Sequence, residues 1–154
     1  MIKVLFVCLG NICRSPMAEA VMRDLIEKNG QSDKIKVDSA ATSSWHIGES
    51  PHKGTLSKLR EFNITTSGIK ARQLQKDDFE KFDYIIGMDS NNVRNIRDML
   101  GQPDHPKIFR FLDLTEHKKD VPDPYYTGDF QETYELVLDG CQALLKIILD
   151  NLKD

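Results

Sequence analysis

Lys3-Val4-Leu5-Phe6-Val7-Cys8-Leu9-Gly10-Asn11-Ile12-Cys13-Arg14-Ser15-Pro16-Met17-Ala18-Glu19 changes character halfway along. Its first part, through Cys8, is nearly continuous in apolar residues, which suits a strand buried on both faces. From Ser15 the pattern is helical: Ser as N-cap, Pro at the first helical position, Glu19 in the first turns, and Gly30 at the exit after Asn29. Met17, Ala20, Val21, Met22, Leu25 and Ile26 recur at helical spacing within it. Residues 8–16 therefore form a strand-to-helix turn.

Working outward, the same alternation repeats. Residues 35–40, 82–88 and 107–112 read as further short strands, and 52–62 and 90–100 as helices. A long helix covers 130–152, with Tyr134, Val137, Leu138, Cys141, Leu144, Leu145 and Ile148 on one stripe. Strands separated by helices need crossover connections, which make the sheet parallel. The predicted fold is α/β: a single three-layer domain over residues 1–154, with a four-stranded parallel sheet and helices on both faces. Between residues 113 and 128 lies a long polar loop holding Pro122 and Pro124, of the kind that more often carries function than not.

Composition narrows the function classes. The chain has 154 residues, 40% hydrophobic and 29% charged, enough for a packed core under a solvated surface. Its net charge of -3 argues against a nucleic-acid binder resting on a basic field. No apolar run approaches a membrane span, and the one near the start, Val4 to Leu9, is too short for a signal-peptide core. A cytoplasmic chain with an intact N-terminus, free of membrane, is expected. Three cysteines (Cys8, Cys13, Cys141) do not make a disulfide scaffold. The four histidines, His46, His52, His105 and His117, are scattered without ligand spacing, so neither a metal nor another cofactor is expected.

The turn after the first strand carries the chemistry. In open α/β sheets, ligands bind at the carboxyl ends of parallel strands. A loop curling into a helix N-terminus aims backbone N–H groups inward and adds the positive end of the helix dipole, which together suit phosphate. Gly10 and Asn11 tolerate the left-handed backbone such a curl uses. Leu9, Ile12, Cys13 and Ser15 complete the phosphate-binding loop. Amides, dipole and cation favour thiolate over thiol, making Cys8 a nucleophile at neutral pH. Arg14 can present a planar fork to two phosphate oxygens. The Ser15 hydroxyl can donate to the Cys8 sulfur. Neither a Gly-x4-Gly-Lys-Ser/Thr string nor a Gly-x-Gly-x-x-Gly turn exists in the chain, which sets aside Walker-type and dinucleotide sites.

The string from Val7 to Glu19 resembles the active-site loop of the low-molecular-weight protein tyrosine phosphatases. The likeness extends along the chain through Asp38-Ser39-Ala40-Ala41-Thr42, Ala71-Arg72-Gln73, Phe82-Asp83-Tyr84-Ile85 with Met88-Asp89, and Asp123-Pro124-Tyr125-Tyr126. The resemblance implies hydrolysis of phosphotyrosine monoesters in proteins through a phosphocysteine intermediate, with tyrosine-phosphorylated proteins as partners. A monomer or weak homodimer is expected.

Such chemistry needs an acid for the departing oxygen and then a base for water. Asp89, Asp113, Asp120 and Asp123 are candidates. Asp123 stands out because prolines at 122 and 124 stiffen it and two tyrosines follow, and it matches the general acid by resemblance. Tyr125 and Tyr126 can stack on a phenyl ring. Resemblance gives Trp45 the opposite wall of the substrate pocket, with Ile12 also lining it. Cys13, five residues after Cys8, could capture a Cys8 sulfenic acid as a disulfide, as the resemblance also implies. Cys141, on the apolar stripe, reads as core. Many relatives place a histidine just before Ala71 to buttress the loop asparagine. This chain reads Ser67-Gly68-Ile69-Lys70 there, leaving Ser39 as the candidate support for Asn11.

Two rivals share the scaffold. A protein phosphoarginine phosphatase commonly has Thr at the position of Ile12, whereas the apolar Ile12 suits an aromatic leaving group. An arsenate reductase needs relay cysteines near the acid loop, and none lies between Cys13 and Cys141. A non-catalytic phosphotyrosine-binding module would keep Arg14 and lose the nucleophile or the acid, yet both are here.

Overall fold

Strand β1 (Ile2–Cys8) sits inside the sheet with a parallel partner on each side, β2 (Ile35–Ala41) and β3 (Tyr84–Gly87). β4 (Ile108–Arg110) adds to β3, giving an all-parallel sheet in the order β2-β1-β3-β4. The computed structural model describes Met1–Lys153; Asp154, the last residue of the expected domain, lies outside the described residues.

Alternation along β1 divides the core. Val4 and Phe6 face one layer, formed by α1 (Arg14–Lys28), α2 (Lys53–Glu61) and α6 (Phe130–Leu152). Leu5 and Val7 face the other, formed by α3 (Asp78–Lys81) and α4 (Ser90–Leu100). Both faces of β1 are dry from Val4 onward, as its unbroken apolar run requires. The Phe6 ring meets the Phe111 ring edge-on at 5.2 Å. Phe111 in turn leaves no room on α6 beside it: a Cβ on Gly140 would lie 2.5 Å from the ring. The fold is α/β, with a four-stranded parallel sheet and helices on both faces.

The element boundaries differ from expectation where tertiary packing overrides local pattern. The fourth strand stops at Arg110, and Phe111–Leu114 turns into a short 3-10 helix. A strand would send Phe111 and Leu112 to opposite faces, whereas the turn buries both in the α1/α6 layer. The third strand is trimmed to four residues, with Asp83 instead bonding the Lys3 N–H through its carboxylate at 2.8 Å. The long loop is not featureless: Pro124–Thr127 forms one helical turn, α5. The single turn α3 was not anticipated. It is held by Asp78, whose carboxylate takes the Gln75 N–H and the Arg72 guanidinium.

Candidate active site

Beyond Cys8 the chain curls at Asn11, whose backbone is left-handed at φ 58°. Gly10 does not share that conformation. What keeps a side chain from position 10 is proximity, since a Cβ there would lie 3.0 Å from His46 Cδ2. Helix α1 starts at Arg14 with Cys13 at its N-cap and no side-chain cap. The expected cap, Ser15, is therefore a residue of the first turn. Its hydroxyl is committed elsewhere: Ser15 Oγ lies 3.0 Å from Cys8 Sγ and accepts from Asn11 Nδ2 at 2.7 Å. The Asn11 backbone N–H also points at Cys8 Sγ, at 3.3 Å.

Two segments clasp the loop from outside. Thr42 and Ser43 donate their N–H groups to the carbonyls of Cys8 and Leu9, each at 3.0 Å, and His52 donates to that of Ile12 at 2.7 Å. With those carbonyls held outward, the loop amides are left facing in. The Asn11 side chain is pinned from below. Its Nδ2 also donates to Ser39 Oγ at 2.9 Å, while its Oδ1 accepts from the Arg72 backbone N–H at 3.1 Å. That amide takes the part for which a histidine was missed, and Ser39 passes its own proton to Glu19 Oε1 at 2.6 Å.

Arg14 is almost wholly buried, 2% exposed. Its Nη1 donates to Asp89 Oδ2 at 2.7 Å and to the Val121 carbonyl at 3.0 Å, and its Nη2 reaches Asp123 Oδ2 at 3.4 Å. Nε has no protein partner although it is buried. Burial works against the charge, but the Cys8 sulfur, Asp89 and Asp123 outweigh it and hold the guanidinium above its ordinary value. A permanent cation thus lines the cleft together with Cys8. Asp89 is the residue that sequence reasoning misplaced, having weighed it only as an acid. It caps α4 through Oδ1, which accepts from Asn92 N–H at 2.7 Å, and anchors Arg14 through Oδ2. The Asp-x-x-Asn capping signature was visible; the arginine 75 residues away was not.

Asp123 is the N-cap of α5, its Oδ1 accepting from the Tyr125 N–H at 3.0 Å. It lines a cleft of about 140 Å3 together with Cys8, Leu9, Gly10, Cys13 and Arg14. Ile12, Trp45, His46, Tyr125 and Tyr126 wall the cleft. Trp45 is 68% exposed and Tyr126 75%, so neither is a core anchor; their rings stand free around the mouth. His46, held to Glu49 at 2.8 Å, was not anticipated, though it follows Trp45 directly. Ile12 packs on Cys13, Ala71 and Phe130. Burial, then the Asp123 and Cys8 charges, push the Cys13 thiol up to about 12, so it stays protonated. Burial alone pushes the core thiol Cys141 up as well.

Chemically, this arrangement offers an oxyanion a ring of inward amides and a guanidinium edge, a sulfur beneath it, and a carboxyl above it. Among the described residues no group of three or more His, Cys, Asp or Glu could hold a metal ion, and no helix is long and apolar enough to cross a membrane.

Comparison with known proteins agrees over nearly the full length. Residues 3–154 match the family model described as low molecular weight phosphotyrosine protein phosphatase. The chain is 53% identical over 150 residues to the low molecular weight protein-tyrosine-phosphatase YfkJ of Bacillus subtilis, covering 96% of each chain. It is 45% identical over 158 residues to PtpA of Staphylococcus epidermidis, covering 100% of this chain and 99% of that one. The crystal structure of the Bacillus protein superposes with a TM-score of 0.95 at 52% identity, covering 98% and 96% of the two chains.

Proposed function

The chain belongs to the low-molecular-weight phosphotyrosine protein phosphatase family, and from that premise we propose that its cleft hydrolyses phosphotyrosine monoesters of proteins by way of a phosphocysteine. Cys8 is the nucleophile. Its sulfur attacks phosphorus in line with the ester oxygen, while Arg14 Nε and Nη2 and the amides of residues 9–14 hold the three equatorial oxygens. Ser15 donates to the sulfur and so makes it a better leaving group in the second step. Asp123 gives a proton to the departing phenolic oxygen, then takes one from the water that attacks the phosphocysteine. Inorganic phosphate leaves and the thiolate is restored.

The observation that carries this reading is the buried, unpartnered Nε of Arg14, a residue that lines the cleft together with Cys8 and feels its charge. A buried guanidinium nitrogen without an acceptor is costly, and a phosphate oxygen in the cleft would satisfy it. Trp45, Tyr125 and Tyr126 give the mouth the depth for a phenyl ring, and Ile12 keeps that wall apolar. Cys13, whose thiol also borders the cleft, serves as the partner that traps an oxidised Cys8 as a disulfide. We read the protein as acting on tyrosine-phosphorylated proteins of the cytoplasm, as a monomer or weak homodimer.

Rates on phosphotyrosine, phosphoarginine and phosphoserine peptides, measured side by side, test the reading. Phosphotyrosine should lead; a lead for phosphoarginine would transfer the assignment to the rival on this scaffold. Cys8→Ser should abolish turnover of p-nitrophenyl phosphate yet still bind phosphate. Asp123→Ala should slow phenyl phosphates by roughly 100-fold and esters with very good leaving groups far less. Equal loss on both would assign the proton to another group.

A further inference from the structure

Below the anion loop runs a chain of hydrogen bonds that ends in a carboxyl the reaction does not use. Ser15 Oγ lies 3.0 Å from Cys8 Sγ; Asn11 Nδ2 donates to Ser15 Oγ at 2.7 Å and to Ser39 Oγ at 2.9 Å; and Ser39 donates to Glu19 Oε1 at 2.6 Å. Asn11 Nδ2 spends its two hydrogens on the two serines. Because Ser15 receives the Asn11 proton, its own is free for the sulfur.

Glu19 is buried, 8% exposed, on the first turns of α1. No cation pairs with it among the described residues. The charged groups facing it are Arg23 of its own helix, Asp38 of β2 and Arg72 of the segment before α3. Both arginines are committed elsewhere: Arg23 donates to the carbonyls of Thr65 and Ser67, and Arg72 is paired with Asp38 and Asp78. Asp38 repels. A lone carboxyl in such a place holds its proton to higher pH than an exposed one.

We propose that Glu19 is a pH-sensitive positioning residue of the anion loop: neutral, it ends the chain under Cys8 without adding charge, and ionised, it sets a negative charge behind the cradle that weakens oxyanion binding. The proposal rests on the phosphatase reading only for the identity of the bound anion. Burial, with Asp38 adding to it against Ser39 and the two arginines, pushes the carboxyl up to about 7, so the change falls near neutral pH.

Sulfate is the probe, because its charge is constant between pH 6 and 8.5. Calorimetric titration should show wild type losing about tenfold more sulfate affinity over that interval than Glu19→Gln, which keeps an acceptor for Ser39 but does not ionise. Parallel curves would overturn the proposal. A second measurement needs no variant. Coupling is reciprocal, so saturating sulfate should move the Glu19 carboxyl titration, followed by carbon-13 NMR, upward by about one pH unit, the equivalent of tenfold. A midpoint that sulfate leaves in place would overturn it too. Failure of the phosphatase reading would appear separately, as wild-type protein that binds sulfate and turns over no phosphotyrosine.

Discussion

Arg14 shows how much of the site hangs on a single side chain and on what stands behind it. Cys8, Arg14 and Ser15 fall within one short stretch, so their convergence could be read from the residues alone. The partners that fix them could not: Asp89 and Arg72 are 75 and 61 residues from the groups they hold, and only the sheet brings them near. Asp89→Asn separates the two tasks of that carboxyl. The amide oxygen can still cap α4, so stability measured in urea should fall by no more than about 1 kcal/mol. The charged bond to Arg14 Nη1 is lost, and kcat/KM on p-nitrophenyl phosphate should drop by roughly tenfold or more, since bonds to charged groups contribute about 1.5–3 kcal/mol. Unchanged kinetics would mean that the Val121 carbonyl and Asp123 suffice to orient Arg14.

Among elements, α2 has the most consequential position for its size. Its N-terminal end joins the loop to the acid segment: His52 bonds the Ile12 carbonyl through its N–H, caps Gly54, stacks on Phe130 at 5.3 Å and meets Tyr125 edge-on at 6.0 Å. The fit is tight enough that a Cβ on Gly54 would come within 2.3 Å of the Phe130 ring. Gly54→Ala should push α2 from α6, cost about 1–3 kcal/mol of stability, and lower phosphatase activity with it. Activity retained while the unfolding midpoint falls would show that α2 braces the core and not the loop. Helices α2, α4 and α6 were legible because each carries a long, periodic apolar stripe or clear terminal residues. The shorter pieces were not. α3 and α5 are single turns held by Asp78 and Asp123, whose side chains bond locally in ways that no periodicity announces.

For the molecule as a whole, the strand order decides where the cleft can be. The chain leaves β1 for β2 on one side and later returns to β3 on the other, so the loop after β1 opens where the winding reverses. That much follows from alternating strands and helices; the order itself had to be seen. The layer of α1, α2 and α6 holds close approaches outside the cleft lining. Gly140→Ala would drive a methyl into the Phe111 ring and should destabilise the protein by roughly 1–3 kcal/mol, measured by urea unfolding, while leaving kcat below the transition near that of wild type. A selective loss of kcat would reveal coupling from that packing to the chemistry.

The clasps of Thr42, Ser43 and His52 mean that the cradle is already shaped before any ester enters. A receptor preformed for the phosphoryl head does not distinguish an intact ester from the fragment left after cleavage. Inorganic phosphate is therefore expected to compete for the same seat, and added phosphate should raise the apparent KM for p-nitrophenyl phosphate.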